Sequence, residues 1–302
     1  MKILLNKMKK YSRFFTDMRN FMLILTFFSL WIATYFREEI ENLLAFILIM
    51  SIGILHGTND IKLIEKGSKK KVSKKILYSY LLFLLIGVLL FYFMSQFALL
   101  VFILFSAYHF GEQHWTSKFI KRSPHKPLLY IFYGMVILGV LFLSNNVEVT
   151  KIIHNITGIN ISKNVYLYTS MFSFVIFFGT LITCLRMKLI RVNIWEELFY
   201  LLLFYVIFNT ASLLWAFAIY FIFWHSIPSL ADQVYFLYGN YKRENFIKYL
   251  KSSLLQWTLS IIGLITIFIA FQNQDRLFIS IFFTSIAAIT FPHVWIMSKL
   301  NK

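Results

Sequence analysis

The chain has 302 residues, 59% of them hydrophobic and only 14% charged, and a mean hydropathy of +0.69; a soluble domain is roughly half apolar and a quarter charged. These proportions exclude a disordered chain and a cytosolic enzyme, and the lone Cys184 excludes a disulfide-built scaffold, which leaves a multi-spanning membrane protein. The net charge of +17 does not indicate a nucleic-acid partner, because nearly all the charges lie in short stretches between apolar runs.

In chain order, the first twenty residues form a basic segment with Lys2, Lys7, Lys9, Lys10, Arg13 and Arg19. The apolar stretch after it runs straight into Arg37-Glu38-Glu39 with no small-residue cleavage site, so it reads as a retained span and not as a secretory signal. A hydrocarbon core about 30 Å thick takes about 20 helical residues. Ten apolar runs qualify, near residues 21–36, 42–57, 76–94, 97–112, 128–144, 166–185, 195–208, 212–227, 252–271 and 277–297. The expected fold is all-α: a polytopic bundle of about ten transmembrane helices, one integral membrane domain over residues 1–302. The connections at 95–96, 209–211 and 272–276 have room only for helical hairpins. The longest outer connection, 145–165, is expected to carry a short helix lying at the surface.

Cytoplasmic loops collect Lys and Arg. With ten spans, 26 of these residues fall on one side and four, Arg37, Lys151, Lys163 and Arg276, on the other. Both termini are therefore expected in the cytoplasm. The heavy use of Lys, Ile, Phe and Asn fits an AT-rich bacterial genome, hence a multi-pass protein of the bacterial cell membrane, with the lipid bilayer as its first partner.

An ionisable side chain at membrane depth is costly unless paired or hydrated, so it marks function by default. Here the residue in question is histidine. His56, His109, His225 and His293 each lie near the end of an even-numbered span, at the cytoplasmic third of the bilayer. Any one alone is more simply an interfacial aromatic; four at matched depth point to a shared metal site, because helices of a bundle can project such ligands inward. Neutral imidazole suits iron, copper, nickel or zinc. Asp60 follows His56 by four residues, on the same helical face, and is expected to accept its free ring N–H. Glu112, three after His109, and Asp232, seven after His225, are the corresponding candidates there, read equally well as solvated helix-end charges. His114, five residues after His109, faces some 140° away on an unbroken helix and reaches the same metal only if Gly111 breaks it. It is the alternative ligand. His125 and His154 sit in loops and are expected to have no role. The 35 phenylalanines would suit the lining of a long apolar ligand site.

At these residues the chain resembles the Brp/Blh family of integral membrane beta-carotene 15,15'-dioxygenases of rhodopsin-bearing microbes. The matching motifs are His56-Gly57 with Asp60, His109-Phe110-Gly111, Trp224-His225-Ser226 and Pro292-His293. The resemblance implies an all-helical enzyme that uses Fe(2+) and dioxygen to split beta-carotene into two retinals, with a functional link to a retinal-binding rhodopsin. It implies His56, His109 and His225 as iron ligands. Many members carry a second histidine one turn after the His-Ser pair, where this chain has Ser229, a poor ligand for ferrous iron. The site then has three histidines, or takes His293 or His114 as the fourth; His293, in the remaining even-numbered span, is expected. The departure leaves another carotenoid or an apocarotenal open as substrate. Two other functions fit the sequence less well. A membrane desaturase or hydroxylase would use paired histidine boxes, which are absent. A histidine-based metal transporter would favour mid-bilayer polar groups and repeat symmetry, and neither is seen.

Overall fold

The computed structural model describes residues 2–68, 74–270 and 278–300, and among them the chain is all-helical, with an isolated backbone bridge between Phe119 and Ile190 in place of any sheet. The helices are α1 (Lys2–Tyr35), α2 (Glu38–Leu48), α3 (Asp60–Ser68), α4 (Lys74–Phe93), α5 (Ser95–Trp115), α6 (Lys126–Ser144), α7 (Asn146–Thr157), α8 (Lys163–Arg186), α9 (Ile194–Thr210), α10 (Leu213–Ala218), α11 (Ile227–Tyr238), α12 (Arg243–Ala270) and α13 (Phe278–Leu300). Two stretches have the wider π-helical winding: Ile49–Gly53 continues α2, and Ile219–Ser226 joins α10 to α11.

Every apolar run falls on a helix within the described residues, yet only four helices are long and apolar enough to cross a membrane by length and composition: Thr16–Tyr35, Lys126–Ser144, Lys163–Arg186 and the composite Leu213–Tyr238. The others fall short for visible reasons. The second run leaves helix at residues 56–59, which form a turn; α9 has 17 residues; α5 carries Ser106, His109, Glu112, Gln113 and His114 in its second half. The outer surface is apolar, with Leu82, Leu85, Phe172, Val175, Leu255 and Leu259 exposed. Lipid accepts such a surface, whereas a soluble monomer rarely shows so large an apolar area.

Leu213–Tyr238 is the central helix. Of its most apolar window 83% is buried, against 22% for Thr16–Tyr35 and 28% for Lys163–Arg186, which face outward. Its indoles fasten it to α1: Trp215 Nε1 donates to the Ser29 carbonyl at 3.1 Å and Trp224 Nε1 to Thr26 Oγ1 at 3.0 Å. Inside the π segment Ser226 Oγ donates to the Phe221 carbonyl five residues back, at 2.8 Å. Such insertions shift side chains around the axis and recur at functional sites.

α5 and α6 pack with their backbones in contact. A Cβ added at Gly111 would lie 1.9 Å from the Tyr130 carbonyl oxygen, and one at Gly134 1.9 Å from that of Ala107. Only glycine permits that approach. It also sets the rotation of α5: Ala107 and Gly111 face α6, so His109, two residues from each and about 200° around the helix, faces the bundle interior. Gly111 therefore does not break the helix, which continues to Trp115.

The expected surface helix in the outer connection is α7, and it does more than lie at the surface. It packs across α5, α6 and α13 with Val149 and Ile153 buried. The cause is its pattern: Val149, Ile152, Ile153 and Ile156 form one apolar face, and the bundle leaves an apolar cavity beneath it.

Candidate metal centre

Four helical segments bring four histidines together. His56 follows the first π stretch, His225 is the penultimate residue of the second, His109 is on α5 and His293 on α13 directly after Pro292. Each is at most 6% exposed. Their rings form a closed square of edge-to-face neighbours, with centroid separations of 5.3 Å for His56–His225, 4.7 Å for His225–His109, 5.2 Å for His109–His293 and 4.8 Å for His293–His56. Phe110 and Phe221 pack against His225 at 4.9 and 5.7 Å.

Hydrogen bonds orient two of the rings. The His56 Nδ1–H donates to the Gly53 carbonyl and the His293 Nδ1–H to Asp60 Oδ1 at 2.8 Å, which leaves each Nε2 as a lone pair. His293 Nε2, His225 Nδ1 and both nitrogens of His109 are buried with no hydrogen-bond partner. Buried polar atoms normally find partners, and several orphaned imidazole nitrogens in one cluster call for a ligand. Two imidazoles on one ion, at the roughly 2.0–2.1 Å metal–nitrogen distance, have ring centres about 4.5 Å apart at a right angle and about 5 Å apart at a tetrahedral angle. The observed spacings, 4.7–5.3 Å, lie close to these values, nearer the tetrahedral one, so the donor set fits a transition metal in both chemistry and ring spacing. The donor atoms are not yet gathered into a finished cage: among the described residues no three His, Cys, Asp or Glu side chains form one.

A polar layer lies behind the cluster. Tyr249 OH donates to Gln233 Oε1 at 2.7 Å, and Gln233 Nε2 donates to the His56 carbonyl at 2.8 Å and to Ser229 Oγ at 3.2 Å. Asn59 donates to Ser253 Oγ, tying the 56–59 turn to α12. Position 229 is thus part of this layer, and the fourth imidazole corner is His293.

The neighbouring carboxylates differ from the expectation. Asp60 pairs with His293, not His56, because the chain turns at residues 56–59 and Asp60 begins a new helix; a same-face relation to His56 no longer exists. Glu112 Oε2 is 3.9 Å from His109 Nδ1, an ion-pair distance too long for a hydrogen bond. Asp232 accepts from Gln113 Nε2 at 2.9 Å. Two helical turns, about 10 Å along the axis, carry it away from the His225 ring. His114 is outside the cluster: its Nε2 lies 2.6 Å from Glu197 Oε2 and its ring stacks on Tyr133 at 4.6 Å. Lys118 Nζ donates to Glu197 Oε1 at 2.6 Å and completes a network between α5 and α9. His125 starts α6 and His154 is exposed on α7. Gln233, Tyr249, Asn59 and the Gly53 carbonyl were not singled out in the sequence; Gln233 lies beyond the apolar run 212–227, where nothing marked it.

All four histidines line a single apolar cleft, with a cavity volume of about 130 Å³. Apart from the imidazoles, its walls carry only Ser106 and Thr290 as polar side chains. The family described as beta-carotene 15,15'-dioxygenase matches the chain over residues 47–301. The chain belongs to that family. Comparison with curated proteins and with solved structures returned no match. The matched stretch holds all four histidines, both π segments and α7, and membership makes the chain a beta-carotene dioxygenase-type enzyme with carotenoid as its substrate class.

Proposed function

We propose that the chain is an Fe(2+)-dependent dioxygenase that cuts beta-carotene at its central 15,15' double bond into two retinals, in a bacterial cell membrane, with ten spans and both termini cytoplasmic. The observation that carries this reading is the square of four buried imidazoles, with unpartnered nitrogens, in an apolar cleft of a beta-carotene dioxygenase family member. The 26-to-4 split of basic residues supports the orientation.

His56, His109, His225 and His293 would hold the ion. When bound, iron supplies the redox chemistry that lets dioxygen react with a carbon–carbon double bond. The Gly53 carbonyl and Asp60 fix two rings by their Nδ1–H groups and keep the opposite nitrogens free. Phe110 and Phe221 shield His225 from water. The apolar walls bind the polyene without polar competition, and an uncharged hydrocarbon reaches them from the lipid. The balance closes on dioxygen alone: one C=C bond breaks, two C=O bonds form, and each new aldehyde carbon takes one oxygen atom. The product is the chromophore of retinal-binding rhodopsins, which is the functional link this reading entails.

Expression in a bacterium that makes beta-carotene should bleach the pigment and accumulate retinal. The purified protein should carry about one iron per chain, and His109→Ala or His225→Ala should lose the iron and the activity while still accumulating in the membrane. Full activity of His109→Ala overturns the site. Metal binding without oxygen consumption in the presence of carotenoid would favour transport instead.

A further inference from the structure

The histidines lie at one end of the cleft, not at its middle. Along α5 the lining runs from His109 back to Leu99, and along α13 from His293 back to Phe283. In each case ten residues of helix, about 15 Å at 1.5 Å per residue, separate the imidazole from the far wall, close to the length of half an all-trans beta-carotene from its central bond to the edge of its ring. The central helix agrees, with lining from His225 back to Leu213. At the far end lies α7, which turns Val149, Ile152, Ile153 and Ile156 into the cleft.

This wall is fixed at its N-terminal end and near its middle. Asn145 Nδ2 donates to the Phe208 carbonyl of α9 and to the Leu141 carbonyl, both at 3.1 Å. Thr150 Oγ1 donates to the Ile161 carbonyl at 3.2 Å and lies 3.0 Å from Tyr166 OH, and the helix terminates at Gly158 with φ 75°. Val149 and Ile153 are buried beneath it. An element held this way behaves as a floor, not as a flap.

We propose that α7 is a stop that sets the position of cleavage: the ring of one substrate half seats against Ile153 and its neighbours, and the double bond that then lies beside the histidines is the one cut. The proposal rests on reading the histidine cluster as the cleavage centre. It makes the enzyme a ruler for one arm, so the second ring need not be recognised. A shortened apocarotenal with a single beta-ring is then cut at the same distance from that ring, again with one C=C bond exchanged for two C=O bonds at the expense of one dioxygen.

The test uses the full-length, iron-loaded protein with beta-carotene and with beta-apo-8'-carotenal, the aldehydes being separated by chain length. Wild type should release retinal from both. Ile153→Phe raises the floor, so the ring-end aldehyde from the apocarotenal should become shorter than retinal; Ile152→Ala with Ile153→Ala lowers it, so that aldehyde should become longer. The ratio of shifted aldehyde to retinal should change about tenfold, and binding of retinal to the metal-free protein, followed by quenching of tryptophan fluorescence, should weaken about tenfold in Ile153→Phe. Val149→Leu, one methylene larger, substitutes if a bulkier or smaller variant does not accumulate. Stop variants that cleave but still yield only retinal, with unchanged retinal binding, overturn the ruler and leave the cleavage reading standing. Failure of the wild type to cleave either substrate overturns the underlying reading.

Discussion

His56 hands its Nδ1–H to a backbone carbonyl, which no side-chain substitution removes, whereas His293 depends on the Asp60 carboxylate at 2.8 Å. Asp60→Asn keeps an oxygen that accepts the ring N–H but loses the charge that raises the basicity of the opposite nitrogen. Iron affinity should fall roughly 10- to 100-fold, read as iron retained against a graded chelator; unchanged retention would reduce Asp60 to an acidic residue at the start of α3. His293→Ala should lose iron as severely as His225→Ala. His114→Ala should leave the metal in place, because that imidazole is committed to Glu197 and Tyr133. The 140° rotation between His109 and His114 already separated the two in the sequence. The partner of Asp60 was not legible there, since helical spacing predicts a contact only where the helix is unbroken, and nothing in His56-Gly57-Thr58-Asn59 announces its turn strongly enough to override an apolar span.

At the scale of elements, the α5–α6 contact decides where His109 points. In Gly134→Ala the new methyl would meet the Ala107 carbonyl oxygen at 1.9 Å, a backbone atom that cannot swing aside. The helices must separate, at a cost of about 1–3 kcal/mol or more, and thermal unfolding in detergent should begin at a clearly lower temperature, with weaker iron retention. Gly179→Ala on α8 meets nothing within 4 Å. Removing a helical glycine there should leave stability unchanged or raise it by up to about 1 kcal/mol. If the two variants behave alike, the close approach does not govern the position of His109. The existence of the helices was legible from apolar runs, and α7 from its amphipathic face. The π segments were not, because a change of hydrogen-bond register leaves the composition of an apolar run untouched.

For the whole molecule, the convergence of the four histidines could be expected from the sequence because an argument from shared depth needs only helix order and direction. The contacts that fasten the helices to one another, such as Trp224 to Thr26 and Gln233 to the His56 carbonyl, join residues far apart in the chain, and a single sequence contains no pairing information for them. The proposed orientation, by contrast, rests on charge. The N-terminus, the connections after the even-numbered spans and the C-terminus hold 26 of the 30 Lys and Arg residues. The histidines close one end of the cleft and α7 the other. A reporter fused after Lys302 should therefore be cytoplasmic, and one inserted near Asn155 external. The same arrangement predicts that a membrane-impermeant reagent modifies a cysteine placed at exposed Val147 from outside the cell, in a Cys184→Ser background, and leaves one at exposed Glu244 of α12 unmodified until the membrane is permeabilised. If Val147 instead reacts only after permeabilisation, the cleft runs toward the cytoplasm and the histidine layer belongs to the outer third of the bilayer, contrary to the charge split.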